Sequence, residues 1–219
     1  TFDLSWTSLP LRRKIYTMIQ VLTQQHYKKM PWKNGQGFTL EVARSHGEGL
    51  DDFDWRVSIA DVKVDGQFSY FKNKQRILGV LEGKGLRLQI DQNKKVSLKQ
   101  KQFFAFHGES DVYAELLDGE IRDFNLIYNP QKIAARLQWI DTVQISPVIS
   151  DAKKILLFNM GKRLDIEMNG IKKSLHEYET LEITSVLTQA KSLSFRSEDQ
   201  FNFCLIELFM WTTQTRGTL

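Results

Sequence analysis

The amino-acid sequence predicts an all-β chain built as two barrel lobes of related design. Three observations carry that prediction. An internal repeat links the two halves, short apolar runs are punctuated by turn residues along most of the chain, and no stretch shows the period of a long amphipathic helix. The 14 Phe, 6 Tyr and 5 Trp set against only 4 Pro fit many strands around an aromatic core.

The repeat is read first. Ile77-Leu78-Gly79-Val80-Leu81-Glu82-Gly83-Lys84-Gly85-Leu86 is echoed 78 positions downstream by Ile155-Leu156-Leu157-Phe158-Asn159-Met160-Gly161-Lys162-Arg163-Leu164. Asp123-Phe124-Asn125-Leu126-Ile127 finds its counterpart in Asn202-Phe203-Cys204-Leu205-Ile206, with one residue of slippage. Each copy reads as a strand, a Gly turn and a second, strictly alternating strand. Asn169-Gly170 between alternating segments is a hairpin signal, because a two-residue turn needs positive φ at its centre. Further strands are predicted at 38–44, 54–62, 103–106, 111–117, 122–128, 133–140, 178–184, 192–196 and 202–211. Such spacing points to a sandwich or barrel. The expected division is an extension at 1–17, a first lobe over 18–140 and a second, mainly structural lobe over 141–219, with 141–153 as the boundary.

At 219 residues the chain is long enough to bury its core without staples. Its one cysteine, Cys204, sits between Phe203 and Leu205 and reads as a small buried hydrophobe. No run approaches the roughly 20 apolar residues of a membrane helix, and no signal peptide is recognisable, so a cytoplasmic location is expected. The net charge of +4 comes with lysine pairs scattered beside turns and lacks interleaved stacking aromatics. Neither a nucleic-acid nor a membrane partner is therefore expected. The oligomeric expectation is a monomer or a homodimer.

Three strands carry one apolar and one polar face. Thr39 and Glu41 oppose Phe38, Leu40 and Val42; Arg56 and Ser58 oppose Trp55, Val57 and Ile59; Asp123 and Asn125 oppose Phe124, Leu126 and Tyr128. Such faces are either solvated or directed into a barrel mouth, where small barrels hold ligands. At the repeat offsets Arg76 becomes Lys154, Glu82 becomes Met160, Asp123 becomes Asn202 and Asn125 becomes Cys204. The second copy thus loses charge at two of these positions and an amide at a third, which points to a binding first lobe. The Gly-containing loop Pro31-Trp32-Lys33-Asn34-Gly35-Gln36-Gly37 adds a charge and an amide beside Trp32.

The four histidines, His26, His46, His107 and His176, include no His-x-His pair, so no metal and no other cofactor is expected. Ser58 and Ser69 have no histidine at readable spacing for nucleophilic work. Glu82, between an apolar run and Gly83, is the best base if the chain is an enzyme.

These residues resemble the HutD/Ves family of bacterial two-lobed cupins. The resemblance rests on Pro31-Trp32-Lys33-Asn34-Gly35 with Gly37, Thr39 and Glu41, and on Phe53-Asp54-Trp55-Arg56-Val57-Ser58-Ile59-Ala60. Asp65-Gly66 with Phe68-Ser69, Arg76, Leu81-Glu82-Gly83, Leu117-Asp118-Gly119 and Arg122-Asp123-Phe124-Asn125 complete it. Gln36 and His107 depart from the family pattern. The resemblance implies a bicupin: two jelly-roll, double-stranded β-helix lobes sharing an interface. It also implies a role moderating histidine utilisation or a stress response, with no established reaction. The expected ligand is a small carboxylate metabolite. It would be held by Trp32, Lys33, Asn34, Thr39, Glu41, Arg56, Ser58, Ser69, Arg76, Glu82, Asp123 and Asn125, with Arg56 and Arg76 as clamp. The alternative is a metal-free isomerase, epimerase or lyase acting on a sugar or small acid in the same pocket.

Overall fold

Alternating apolar residues make this chain a stack of antiparallel sheets. A computed structural model describes residues 17–32, 37–47, 49, 51–186 and 189–211. The first eleven strands are β1 (Thr17–Leu22), β2 (Lys28–Pro31), β3 (Phe38–Arg44), β4 (Trp55–Val62), β5 (Gly66–Gln67), β6 (Gln75–Glu82), β7 (Leu86–Ile90), β8 (Lys94–Leu98), β9 (Phe103–His107), β10 (Val112–Leu116) and β11 (Ile121–Tyr128). The next eight are β12 (Ile133–Thr142), β13 (Val148–Ser150), β14 (Lys154–Asn159), β15 (Arg163–Met168), β16 (Ile171–His176), β17 (Thr180–Ser185), β18 (Lys191–Arg196) and β19 (Phe201–Met210). One short 3-10 turn, Gln24–His26, is the helical element among the described residues. None of it is long and apolar enough to cross a membrane as a helix.

The strands form four sheets. Their orders are β5-β10-β7-β8, β2-β3-β4-β11-β6-β9, β1-β17-β14-β19-β12 and β13-β18-β15-β16. Three apolar clusters lie between them and fix the stacking. Val62, Leu78, Val80 and Ile121 of the six-stranded sheet meet Leu86, Leu88, Ile90 and Val112 of the first four-stranded sheet. The opposite face of that six-stranded sheet offers Trp55, Val57, Ile59, Phe124 and Leu126 to Leu156, Phe158, Cys204, Ile206 and Leu208 of the five-stranded sheet. The five-stranded sheet then turns Ile155, Leu157, Phe203 and Leu205 toward Leu164, Ile166, Met168 and Leu193 of the second four-stranded sheet. Period-2 alternation explains all of this: β14 and β19 are apolar through their centres on both faces because both are covered, whereas β4 and β11 are apolar toward the five-stranded sheet and carry Arg56, Ser58, Asp123 and Asn125 on the other face.

The sheet orders reveal the repeat more fully than the sequence does. Strands β4 to β11 and β12 to β19 occupy corresponding places, so the turn at 129–132 separates two sets of eight. The expected boundary at 141–153 falls inside the second set. Ile133–Thr142 pairs along its whole length with β19, and Thr17–Leu22 is hydrogen-bonded to β17, so both strands belong to the five-stranded sheet. Residues 1–16 of the expected extension lie outside the described residues.

The register of the repeat also needs correction. Leu88 and Ile166 both face inward, and the turns Asp91-Gln92 and Asn169-Gly170 both have positive φ, so the 78-residue offset holds for β7 and β15. For β6 and β14 it does not. Leu78 and Val80 face the first unit's interior, whereas Leu156 and Phe158 face the seam between units. Arg76 and Lys154 therefore point to opposite sides of their sheets. So do Asn125, which lines a cavity, and Cys204, which lies in the seam. A one-residue slip turns every side chain over.

Candidate functional site

One end of the first unit's interior is filled by the apolar cluster, and the other holds a cavity of about 570 Å³. Its floor is the inner face of β4, β11 and β6. In register, Asn125 pairs with Ser58 on one side and Leu78 on the other, and Ile127 lies between Arg56 and Arg76. The two arginines thus stand one strand to either side of Ile127, with Cα atoms roughly 10 Å apart for two strand spacings. The segment from Val64 to Phe71 forms the opposite wall. It is tied down by backbone bonds from Phe68 N to Val112 O (2.8 Å) and from Phe71 N to Gly108 O (2.7 Å).

Both guanidinium groups are buried, and aromatic rings seat them. Arg76 lies 4.4 Å from the Phe68 centroid and 5.6 Å from Phe106; Arg56 lies 4.8 Å from Phe53 and 5.1 Å from Phe71. A ring face attracts a cation and gives it a flat surface without consuming its donors. Arg76 donates from Nε (2.8 Å) and Nη2 (2.6 Å) to Asn125 Oδ1. Asn125 Nδ2 donates in turn to Asp123 Oδ1 (2.8 Å), which also accepts from Ala60 N (3.1 Å). One amide therefore relays between a buried cation and a buried anion.

Burial sets the electrostatics. It lowers the Arg76 pKa to about 10, with Asp123 opposing the shift and the like charge of Arg56 adding to it. It also lowers that of Arg56, against the attraction of Glu41 and Asp51. Both remain cationic at neutrality. The Asp123 carboxyl is pushed up to about 6 by burial, although Arg76, Asn125 and the Ala60 amide all pull it down.

Eight of the expected residues line this cavity: Trp32, Thr39, Arg56, Ser58, Ser69, Arg76, Asp123 and Asn125. Trp32 Nε1 donates to Thr39 Oγ1 at 2.9 Å, which fixes the indole at the rim. Lys33 and Asn34 lie outside the described residues. Glu41 is buried beside Ser58 in register but is not part of the lining; its Oε2 accepts no hydrogen bond and lies 3.8 Å from Arg44 Nη1. Glu82 sits elsewhere. It is half exposed at the far end of β6, 3.5 Å from Arg122, whose guanidinium also meets Asp61 and the Tyr178 ring across the seam. Asp123, not Glu82, is the carboxyl in the cavity with a shifted proton affinity. Sequence reasoning missed the aromatic seats as functional. Phe53 and Phe68 fall in matched stretches, but Phe71 had no signal. Among the described residues, no three His, Cys, Asp or Glu side chains gather as a metal set.

Fold and site together define the class: an all-β protein of stacked antiparallel sheets with an arginine-lined cavity. The HutD family profile matches residues 24–204, and the chain belongs to that family. A Pseudomonas putida relative, a 21.2 kDa protein in the hutC 3′ region, is 45% identical over 193 residues, spanning 88% of this chain and 98% of its own. Protein Ves of Escherichia fergusonii is 36% identical over 118 residues, 52% of this chain and 61% of its own. Among solved structures, HutD from Pseudomonas fluorescens SBW25 superposes with a TM-score of 0.75 at 38% identity, covering 89% of this chain and all of that one. A conserved Pseudomonas aeruginosa protein of unknown function reaches 0.83 at 40% identity, over 88% and 99% respectively.

Proposed function

We propose that this chain is a bicupin whose first lobe binds a small anionic metabolite, with a carboxylate as the favoured ligand group. The observation that carries the reading is the pair of buried arginines facing one cavity. Burying a guanidinium costs several kcal/mol, and setting two like charges toward one space adds repulsion. Asp123, Glu41 and Asp51 offset part of that cost, and an anion entering the cavity would offset more. Asn125 takes two of Arg76's donors through Nε and Nη2, and the rings beneath take none. A carboxylate accepting charge-assisted bonds there gains about 1.5–3 kcal/mol per bond. For a ligand of about 12 heavy atoms this corresponds to roughly millimolar to micromolar affinity, a range suited to sensing a metabolite. Membership of the HutD family, with relatives named for the hutC region and Ves, is the ground for reading the role as moderation of histidine utilisation or of a stress response. The working picture is a cytoplasmic monomer or homodimer whose second lobe is structural.

The test is a thermal-shift screen with small carboxylic acids, phosphates and neutral sugars. Carboxylates are expected to raise the melting temperature. Arg56→Ala should weaken that response at least tenfold while the protein stays folded; an unchanged response would remove the clamp. A second reading is favoured by one observation, the raised proton affinity of Asp123 inside the cavity. There the same pocket would be a metal-free isomerase, epimerase or lyase, with Asp123 moving the proton in place of Glu82. Consumption of a stabilising ligand on incubation would decide for turnover.

A further inference from the structure

We propose that anion binding between Arg56 and Arg76 is coupled to proton uptake by Asp123, making the cavity a pH-responsive anion site. The proposal rests on the cavity reading above and adds its regulation. Its basis is geometric. Asp123 lines the same cavity as both arginines, and its two hydrogen bonds, from Ala60 N and Asn125 Nδ2, both fall on Oδ1. Asn125 links it directly to Arg76. In the empty site the positive charge of Arg76 is the largest of the three influences, with the Asn125 and Ala60 hydrogen bonds, that favour the buried carboxylate's ionised form. An incoming anion takes a share of that positive charge and places a like charge beside Asp123. The carboxylate is then disfavoured, and protonation relieves it by removing the like charge and adding a donor hydrogen to the carboxyl.

The sign follows from linkage. Asp123 titrates near 6 in the empty cavity, and a bound anion raises that midpoint further. Anion affinity is therefore lowest above the raised midpoint, climbs as pH falls, and levels off below about 6. At an effective dielectric of about 20, a unit charge a few ångströms away is enough for a tenfold change in affinity or more. The other charged groups around Asp123 are Arg76 from β6, Arg56 and Asp61 from β4, Glu41 from β3, and Asp51 and Asp65 at the mouth. No histidine lines the cavity among the described residues. His107, hydrogen-bonded to Gln75 beside Arg76, is the separate source of pH response to exclude.

The test uses nitrate and formate as probes, because nitrate keeps its charge throughout the range. Each is titrated into the full chain at pH 5.5 and pH 8 at constant ionic strength, with binding followed by NMR at the Arg56 and Arg76 side chains. The wild-type protein is expected to bind nitrate about tenfold more tightly at pH 5.5. Asp123→Asn, which presents an amide donor in place of the protonated acid, should bind at pH 8 as the wild type does at pH 5.5 and show no pH dependence. His107→Gln should leave the wild-type profile intact. In wild-type protein the titration midpoint of the Asp123 carboxyl carbon should rise when nitrate is present, a readout that does not depend on any variant folding. Binding that is independent of pH in the wild type, or a profile that persists in Asp123→Asn, overturns the coupling and leaves the cavity reading standing. Absence of any response at Arg56 and Arg76, at either pH and in every variant, overturns the cavity reading and the coupling with it.

Discussion

The two eight-strand sets share a sheet plan and differ in what they enclose. The second unit's interior is apolar through its centre, with Ile155, Leu157, Leu164, Ile166, Leu193, Phe203 and Leu205 in contact across the two sheets. Where β19 reaches Glu207, Arg136 from β12 closes on it with two hydrogen bonds, from Nε at 2.5 Å and Nη2 at 2.7 Å. The first unit packs one end in the same manner, but its other end keeps Arg56, Arg76, Asp123 and Asn125 around open space. In the second unit the half-exposed Arg136 meets the buried Glu207, and the buried Lys191 donates to the Ala152 and Gln189 carbonyls. In the first unit two buried arginines face a cavity that Asp123 also lines. On the proposed reading, duplicated architecture with one lined cavity and one packed counterpart separates binding from stability, since polar residues that bind cost folding energy.

That contrast can be broken by substitution. The largest effect is expected in the second unit: Phe203→Ala, at a fully buried ring, should cost about 3–5 kcal/mol in urea unfolding, with no change in ligand response once allowance is made for stability. A loss below about 1 kcal/mol would mean that this interior is not the structural one. Asp123→Asn should act in the opposite direction. Its carboxyl titrates near 6 in the folded chain against an ordinary value of 3.8, so the stability it supplies is present below about 3.8 and lost as pH rises through 6. The variant is expected to be up to about 2–3 kcal/mol more stable than the wild type at pH 8, with the difference vanishing near pH 4. A constant difference across that range would assign the effect to packing.

The smallest effect separates the two hairpin turns. Gly170 sits at φ 79 in the second unit, where the first unit places Gln92 at φ 60. Gly170→Ala should cost about 1 kcal/mol by thermal unfolding, because a Cβ is unfavourable at that φ. No cost at all would show that the second turn tolerates side chains as the first one does.

How far the sequence spoke depended on whether a signal was local. Alternation along β4 and β11 was enough to place Arg56, Ser58, Asp123 and Asn125 on one side and Trp55, Val57, Phe124 and Leu126 on the other. Asn169-Gly170 located a hairpin because positive φ is a requirement of the turn itself. Pairing at a distance left no such mark. Nothing in Thr17–Leu22 says that its partner is β17, and nothing in Ile133–Thr142 says that it opens the second set. The repeat misled for the same reason: Arg76 and Lys154 align in sequence, yet their strands are shifted by one residue and the side chains face opposite ways. The conclusion drawn from that alignment, a binding first lobe and a supporting second, loses that support and is a proposal that rests on the cavity lining. Glu82 read as a base because it follows an apolar run, but β6 ends there and its side chain pairs with Arg122 at the seam. Phe71 reads as core in any alphabetic pattern; only the three-dimensional course of the 64–71 segment brings its ring under Arg56.

The account stands on the first unit's arginines meeting an anion inside the cavity. A crystal structure of the protein grown or soaked with a small carboxylate, refined with the ligand omitted from phasing, tests this most directly. The predicted result is density for a carboxylate within hydrogen-bonding distance of both the Arg56 and Arg76 guanidinium groups, with the second unit's interior unchanged. An empty cavity at saturating carboxylate, with the two guanidinium groups turned away to protein partners of their own, would contradict it.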